Sequence, residues 1–161
     1  MRNRFLLFLS VIVLTFSLTG CGEDPKLTKF KNDIDSFCVE IAAIDANINN
    51  IDATAETAKD ELLDYLDQLN ESFKVLAAIS VPEEFSYIEN LADEASSYMT
   101  TAVESYHEAY SNNSFNEYTA DYAKENYERA CKRVNVIIKL LHGEEISDED
   151  VTIETVSEEN Q

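Results

Sequence analysis

Glycine, proline and basic residues are all scarce in this chain. Three glycines and two prolines occur in 161 residues, and 12 Lys and Arg stand against 32 Asp and Glu. So little glycine leaves no Gly-rich loop to cradle phosphates, and neither Gly-x-Ser-x-Gly, His-Glu-x-x-His nor Cys-x-x-Cys is present. A net charge of −20 argues against nonspecific nucleic-acid binding, because phosphates are met largely by Lys and Arg. No apolar run reaches the ~20 residues that a membrane-spanning helix needs. There is no convincing internal repeat. Such acidity mainly favours solubility and repels other acidic surfaces.

What is present begins with Met1-Arg2-Asn3-Arg4, followed by an apolar stretch from Phe5 to Leu18. A charged start and a short apolar segment are the n- and h-regions of an export signal. Leu18-Thr19-Gly20-Cys21 then resembles the lipobox of bacterial lipoproteins: a branched apolar residue, two small residues and a cysteine. The resemblance covers residues 1–21. It implies a diacylglyceryl group on the Cys21 sulfur, cleavage just before that residue, and a chain held by its lipid on the extracytoplasmic face of the cell membrane. Ordinary signal peptidase wants an Ala-x-Ala-like site, which Ser17-Leu18-Thr19-Gly20 supplies poorly. The expected organisation is a signal peptide over 1–20, a lipidated anchor and tether over 21–25, a helical domain over 26–143 and an acidic tail over 144–161. The mature length suits one domain and is short for a two-lobed solute-binding lipoprotein. Because Arg2 and Arg4 leave with the signal, the mature chain is more acidic still.

Four segments carry apolar residues at helical spacing. The first begins at Asp24-Pro25, an N-cap followed by a first-turn proline, and turns Leu27, Phe30, Ile34, Phe37, Cys38, Ile41, Ile44 and Ile48 to one face. The second spans about Thr54 to Ile79, with Leu62, Leu66, Leu69, Phe73, Leu76 and Ala77 inward. Ser80 and Glu83 read as a capping box around Pro82 that opens the third. Its stripe is Phe85, Ile88, Leu91, Ala95, Tyr98, Met99, Ala102, Tyr106 and Ala109. Ser114 and Glu117 repeat the box for the fourth, which places Thr119, Ala123, Asn126, Ala130, Val134, Ile137 and Leu141 inward and stops at Gly143. Four helices of similar length with short connections bury their stripes most simply as an all-α, up-down-up-down four-helix bundle. Beyond Gly143 the acid-rich segment, with only scattered aliphatics, reads as a flexible tail.

With Cys21 taken by lipid, Cys38 and Cys131 remain in an oxidising compartment. In an up-down-up-down bundle both lie about 17–18 Å from the same end, at 1.5 Å per residue. The matching heights favour a Cys38–Cys131 disulfide, with two buried thiols as the alternative. Such a bridge is worth roughly 4–5 kcal/mol in the chain-entropy model.

Glu104 and His107 form Glu-x-x-His, the metal-ligand spacing of di-iron bundles. The chain has no second copy of the motif, and at 100° per residue both side chains point away from the apolar stripe. His142, in a last helical turn, complements the helix dipole. Ser147-Asp148-Glu149-Asp150 lacks the glycine and spacing of a calcium loop. No catalytic residue, metal ligand or cofactor is therefore assigned.

Seven of the eight tyrosines fall in the second half, and Tyr110, Tyr118 and Tyr122 lie at the edge of the apolar stripes or beyond them. Core-edge packing or a partner-binding face would each account for them. Between Lys74 and Lys124 there is no Lys or Arg, while nine acidic residues occur there. Lys26, Lys29 and Lys31 run against the dipole of the first helix; with Lys139 they are expected to face anionic headgroups beside the anchor, or else to hold the acidic tail. The sequence thus points to a non-enzymatic, envelope-anchored helical module. Its partners are the membrane, through lipid, and a protein, with no nucleic acid. A metal-ion or small-ligand binder using surface carboxylates is the second reading.

Overall fold

The computed structural model describes residues 24–111 and 115–147. Residues 1–23, 112–114 and 148–161, which include the expected signal peptide, the expected lipidation site Cys21, the expected cap Ser114 and most of the expected tail, lie outside the described residues. The fold is of the expected all-α, four-helix class, with neighbouring helices in contact and no strand among the described residues. Its contacts group into two compact units, residues 1–86 and 87–161.

The first unit holds α1 (Pro25–Asn49) and α2 (Ala58–Ala77). Helix α1 starts where its cap dictates: the Asp24 carboxylate accepts from the Lys26 amide at 2.9 Å, and Pro25 occupies the first turn, where its missing N–H costs nothing. Phe30, Ile34, Phe37, Ile41 and Ile44 are buried at alternating three- and four-residue spacing, whereas Leu27, Cys38 and Ile48 at the flanks of the stripe are half-buried. On α2 the buried face is Leu66, Leu69, Ser72, Phe73 and Leu76. Phe37 meets Phe73 edge to face, centroids 5.3 Å apart, and the Ser72 hydroxyl lies 2.9 Å from Glu40 Oε1. Since 37 meets 73 while 40 meets 72, the two helices run antiparallel.

Helix α2 begins four residues later than the periodicity suggests. Asp52 Oδ1 accepts from both the amide and the hydroxyl of Thr54, at 2.9 and 2.7 Å, and this local turn competes with a helical start. Those two bonds also hold the Asp52 carboxyl below the usual carboxylate range. The Ser80–Glu83 capping box does not form either. Pro82 instead precedes a 3-10 turn over Glu83–Phe85 that has no side-chain cap, and Phe85 leaves its expected place on the third helix to pack against Phe30 at 5.9 Å.

The second unit holds α3 (Tyr87–Ser111) and α4 (Glu117–His142). Ala92, Ala95, Met99, Ala102, Val103 and Ala109 are buried on α3, and Ala123, Asn126, Tyr127, Ala130, Val134, Val136 and Ile137 on α4. Asn126, expected inward, is buried and donates to the Tyr122 carbonyl at 2.8 Å, so its amide does not enter the core unsatisfied. Asn116, rather than Ser114, caps α4 by accepting from the Thr119 amide at 3.2 Å. Gly143 ends α4 at φ 68°, a left-handed cap that glycine adopts without strain, and the Glu144 amide then reaches the Lys139 carbonyl at 2.9 Å.

The expected Cys38–Cys131 disulfide is not formed: both residues are thiols, each half-buried. Equal height along a helical axis is a one-dimensional criterion. A disulfide also requires Cα atoms within about 7 Å and Cβ atoms that face each other.

Candidate functional site

Residues on either side of 112–114 are tied to the end of α3 by hydrogen bonds. The Ser111 hydroxyl donates to the Glu108 carbonyl at 2.8 Å, and the Asn116 amide reaches back to the Ala109 carbonyl at 3.0 Å. This return places Phe115 against Tyr110, with ring centroids 4.9 Å apart and planes at 48°. In the first two turns of α4, Tyr118 and Tyr122 stand four residues apart and so share a helix face. Tyr118 is 84% exposed, Tyr122 49% and Phe115 53%, while Tyr110 is half-buried. Three large rings are therefore open to solvent at one end of this helical hairpin.

Carboxylates flank the rings. Glu104, Glu108, Glu117 and Asp121 are exposed on the last turns of α3 and the first turns of α4. The nearest base along the chain, Lys124, sits 3.8 Å from Glu128. Behind the exposed rings, Tyr106 is half-buried and its hydroxyl is pushed up to about 12, first by burial, then by Tyr110 and by the charges of Glu128 and Asp121. Burial also raises the Tyr110 hydroxyl. Both phenols are therefore neutral donors at ordinary pH. Such a surface supplies apolar area, ring faces and negative charge.

Of the residues singled out from sequence, Tyr118 and Tyr122 share a face of α4, while Tyr110 pairs with Phe115 in the second unit. Phe115 was missed. The signal for it was an aromatic residue in a connection otherwise made of Asn and Ser, where exposure is the default. A second arrangement was also missed. Arg129 and Arg133, four residues apart on α4, lie over the Tyr98 ring at 5.7 and 5.8 Å. Arg133 also pairs with Glu94 at 2.5 Å, and Arg129 with Glu125. Tyr98, expected in the core, is half-buried beneath these guanidinium groups.

The other candidates are dispersed. Lys26 and Lys29 are exposed at the start of α1, with Lys29 paired to Asp33 at 2.5 Å, and Lys31 is half-buried. Lys139 is half-buried in the last turn of α4, where His142 Nδ1 lies 3.6 Å from Glu144. Glu104 and His107 both face solvent. Among the described residues no three His, Cys, Asp or Glu side chains gather as a metal site would require. A shallow depression of about 480 Å³ on the first unit is lined by Glu40, Asp67, Gln68, Asn70, Glu71 and Lys74, with Lys74 bonded to Glu71 at 2.7 Å. Burial raises the Cys38 thiol to about 11, with the charge of Asp35 adding to the effect, so this thiol is a poor nucleophile at neutral pH. No described helix is long and apolar enough to cross a membrane. No protein-family model, curated protein or solved structure matches this chain.

Proposed function

We propose that this chain is an extracytoplasmic lipoprotein, anchored through acyl chains on Cys21, which acts without catalysis as a helical module holding another envelope protein. The observation that carries the reading is the group of exposed rings, Phe115, Tyr118 and Tyr122, at the start of α4, where the Asn116 amide bonds back to the Ala109 carbonyl. Grouped solvent-facing aromatics leave apolar area wet, and tyrosine is enriched where proteins meet. The basic start of α1, with Lys26, Lys29 and Lys31, would sit beside anionic headgroups, because only Gly22, Glu23 and Asp24 separate Cys21 from the helix. A metal-binding reading has no gathered ligand set among the described residues to start from.

Two measurements test the proposal. Wild-type protein should enter the membrane fraction with acyl mass on Cys21, and Cys21→Ser should release it; a soluble wild type with an unmodified cysteine refutes the anchor. A photo-cross-linking residue at Tyr118 should give one discrete adduct in whole cells that the same residue at Asp60 does not give. Identical adduct patterns at the two positions refute the interaction face.

A further inference from the structure

The exposed rings and the carboxylates near them are of the same residue types as an arrangement that the second unit fills with its own arginines, and among the described residues no cation is seen over these rings. At Tyr98 an aromatic face and two nearby carboxylates, Glu94 and Glu125, hold the guanidinium groups of Arg129 and Arg133. At the α3–α4 end the same elements recur. Tyr118 and Tyr122 line one strip of α4, and Glu117 and Asp121 line the strip about 100° round the helix from it, all four exposed. The nearest lysine, Lys124, is directed to Glu128 at 3.8 Å, and no Lys or Arg occurs in the sequence from residue 75 to residue 123.

From this we infer that the partner of this face is a cationic protein segment that lays arginine or lysine side chains on Phe115, Tyr118 and Tyr122 beside Glu117 and Asp121. The inference rests on the interaction-face reading above and names the chemistry of its occupant. Ring quadrupoles attract a cation that approaches from the face, and Arg does so more often than Lys. Its planar fork can at the same time bond a carboxylate. Other occupants fit less well. A second copy would bring a chain of net charge −20 against the same acidic end, and an anionic membrane surface would meet the same repulsion. The Tyr110–Phe115 pair is closed on itself at 4.9 Å rather than opened into a cage, which suits an extended segment better than a small ammonium ligand.

The test uses the full lipidated chain in non-ionic detergent and three labelled peptides that alternate glycine with arginine, lysine or glutamate. Fluorescence anisotropy is read at near-physiological salt, where diffuse attraction is screened beyond about 8 Å. The arginine peptide should bind most tightly, the lysine peptide more weakly, and the glutamate peptide not at all. Replacing Phe115, Tyr118 and Tyr122 with alanine leaves the charge unchanged and should weaken arginine-peptide binding roughly tenfold or more. Tyr118→Phe with Tyr122→Phe should retain it. Asp60→Asn with Glu61→Gln removes the same number of charges as Glu117→Gln with Asp121→Asn, yet only the latter pair should weaken binding strongly. Circular dichroism should show unchanged helix content in every variant, as expected for exposed positions.

Equal arginine-peptide affinity in wild type and the alanine variant would reduce the effect to bulk charge and overturn the inference. So would a dimer in sedimentation that the alanine variant abolishes, or ring-dependent binding to zwitterionic vesicles. A discrete adduct at Tyr118 whose contact carries no Arg or Lys would keep the interaction face while removing this identification of its partner. Absence of both adduct and peptide binding would remove both.

Discussion

Two substitutions two residues apart on α2 ask whether this helix faces the way described. Phe73 is 1% exposed and meets Phe37 edge to face at 5.3 Å, whereas Val75 is 60% exposed. Phe73→Ala removes a fully buried ring and leaves a void that its neighbours fill only in part, at a cost of about 3–5 kcal/mol. The lost edge-to-face pair accounts for roughly 0.5–1.5 kcal/mol of that. Domains of this size are stable by only about 5–15 kcal/mol, so the change removes a large share of the total. A melting temperature falling by roughly 10–20 °C is expected. Val75→Ala removes little buried area and replaces a β-branched residue with a better helix former, so its effect should stay within about 0.5 kcal/mol. Both are measured by thermal and urea unfolding of the full chain in non-ionic detergent, followed at 222 nm. A turn of about 200° about the helix axis separates the two positions, so a rotated helix would reverse their order. A Phe73→Ala loss below about 1 kcal/mol, or a Val75→Ala loss exceeding it, would refute the packing.

Three further outcomes follow from individual groups. Asp45 Oδ1 is buried without a hydrogen-bond partner, and burial raises this carboxyl above its ordinary 3.8 despite the bond from Asn49. The fold therefore prefers the protonated form, and the associated stability is lost as pH rises through the folded-state value. Asp45→Asn should accordingly raise the denaturant midpoint at pH 7 with the gain fading toward pH 3; a gain that persists unchanged in acid would contradict this origin. Tyr106 and Cys38, raised to about 12 and about 11, also favour their neutral forms in the fold. The stability they contribute is complete below pH 9 and lost between about pH 9 and 12, and absorbance at 295 nm should show one tyrosine ionising last, a late step that Tyr106→Phe deletes. Asp24→Ala removes the acceptor of the Lys26 amide and should cost about 0.5–2 kcal/mol, read as the same shift at every urea concentration. An effect below about 0.2 kcal/mol would mean that Pro25 alone sets the helix start.

Much of this molecule is written in local chemistry. Asp24-Pro25 starts α1 and Gly143 stops α4 because a cap needs only a side-chain acceptor or a left-handed backbone within a few residues. The buried positions Phe30, Ile34, Phe37, Ile41 and Ile44 follow from helical periodicity alone. Helix starts were less legible where two local signals competed. Asp52 claimed Thr54 for a turn, and Asn116 displaced Ser114 as a cap, since both offer an oxygen at comparable spacing. The facing of Tyr118 and Tyr122 could be read from their offset to the stripe; the pairing of Phe115 with Tyr110 could not, because it depends on how the chain returns at Asn116.

By itself the sequence determined four amphipathic helices, their outer ends and the segregation of acid from base, since each of these is decided by residues within about one or two helical turns. Tertiary structure alone decided that Arg129 and Arg133 lie over Tyr98 and that Phe85 turns to Phe30. Those outcomes depend on azimuth and separation between groups far apart along the chain. A periodic pattern gives the face of a helix but not the side chain that meets it.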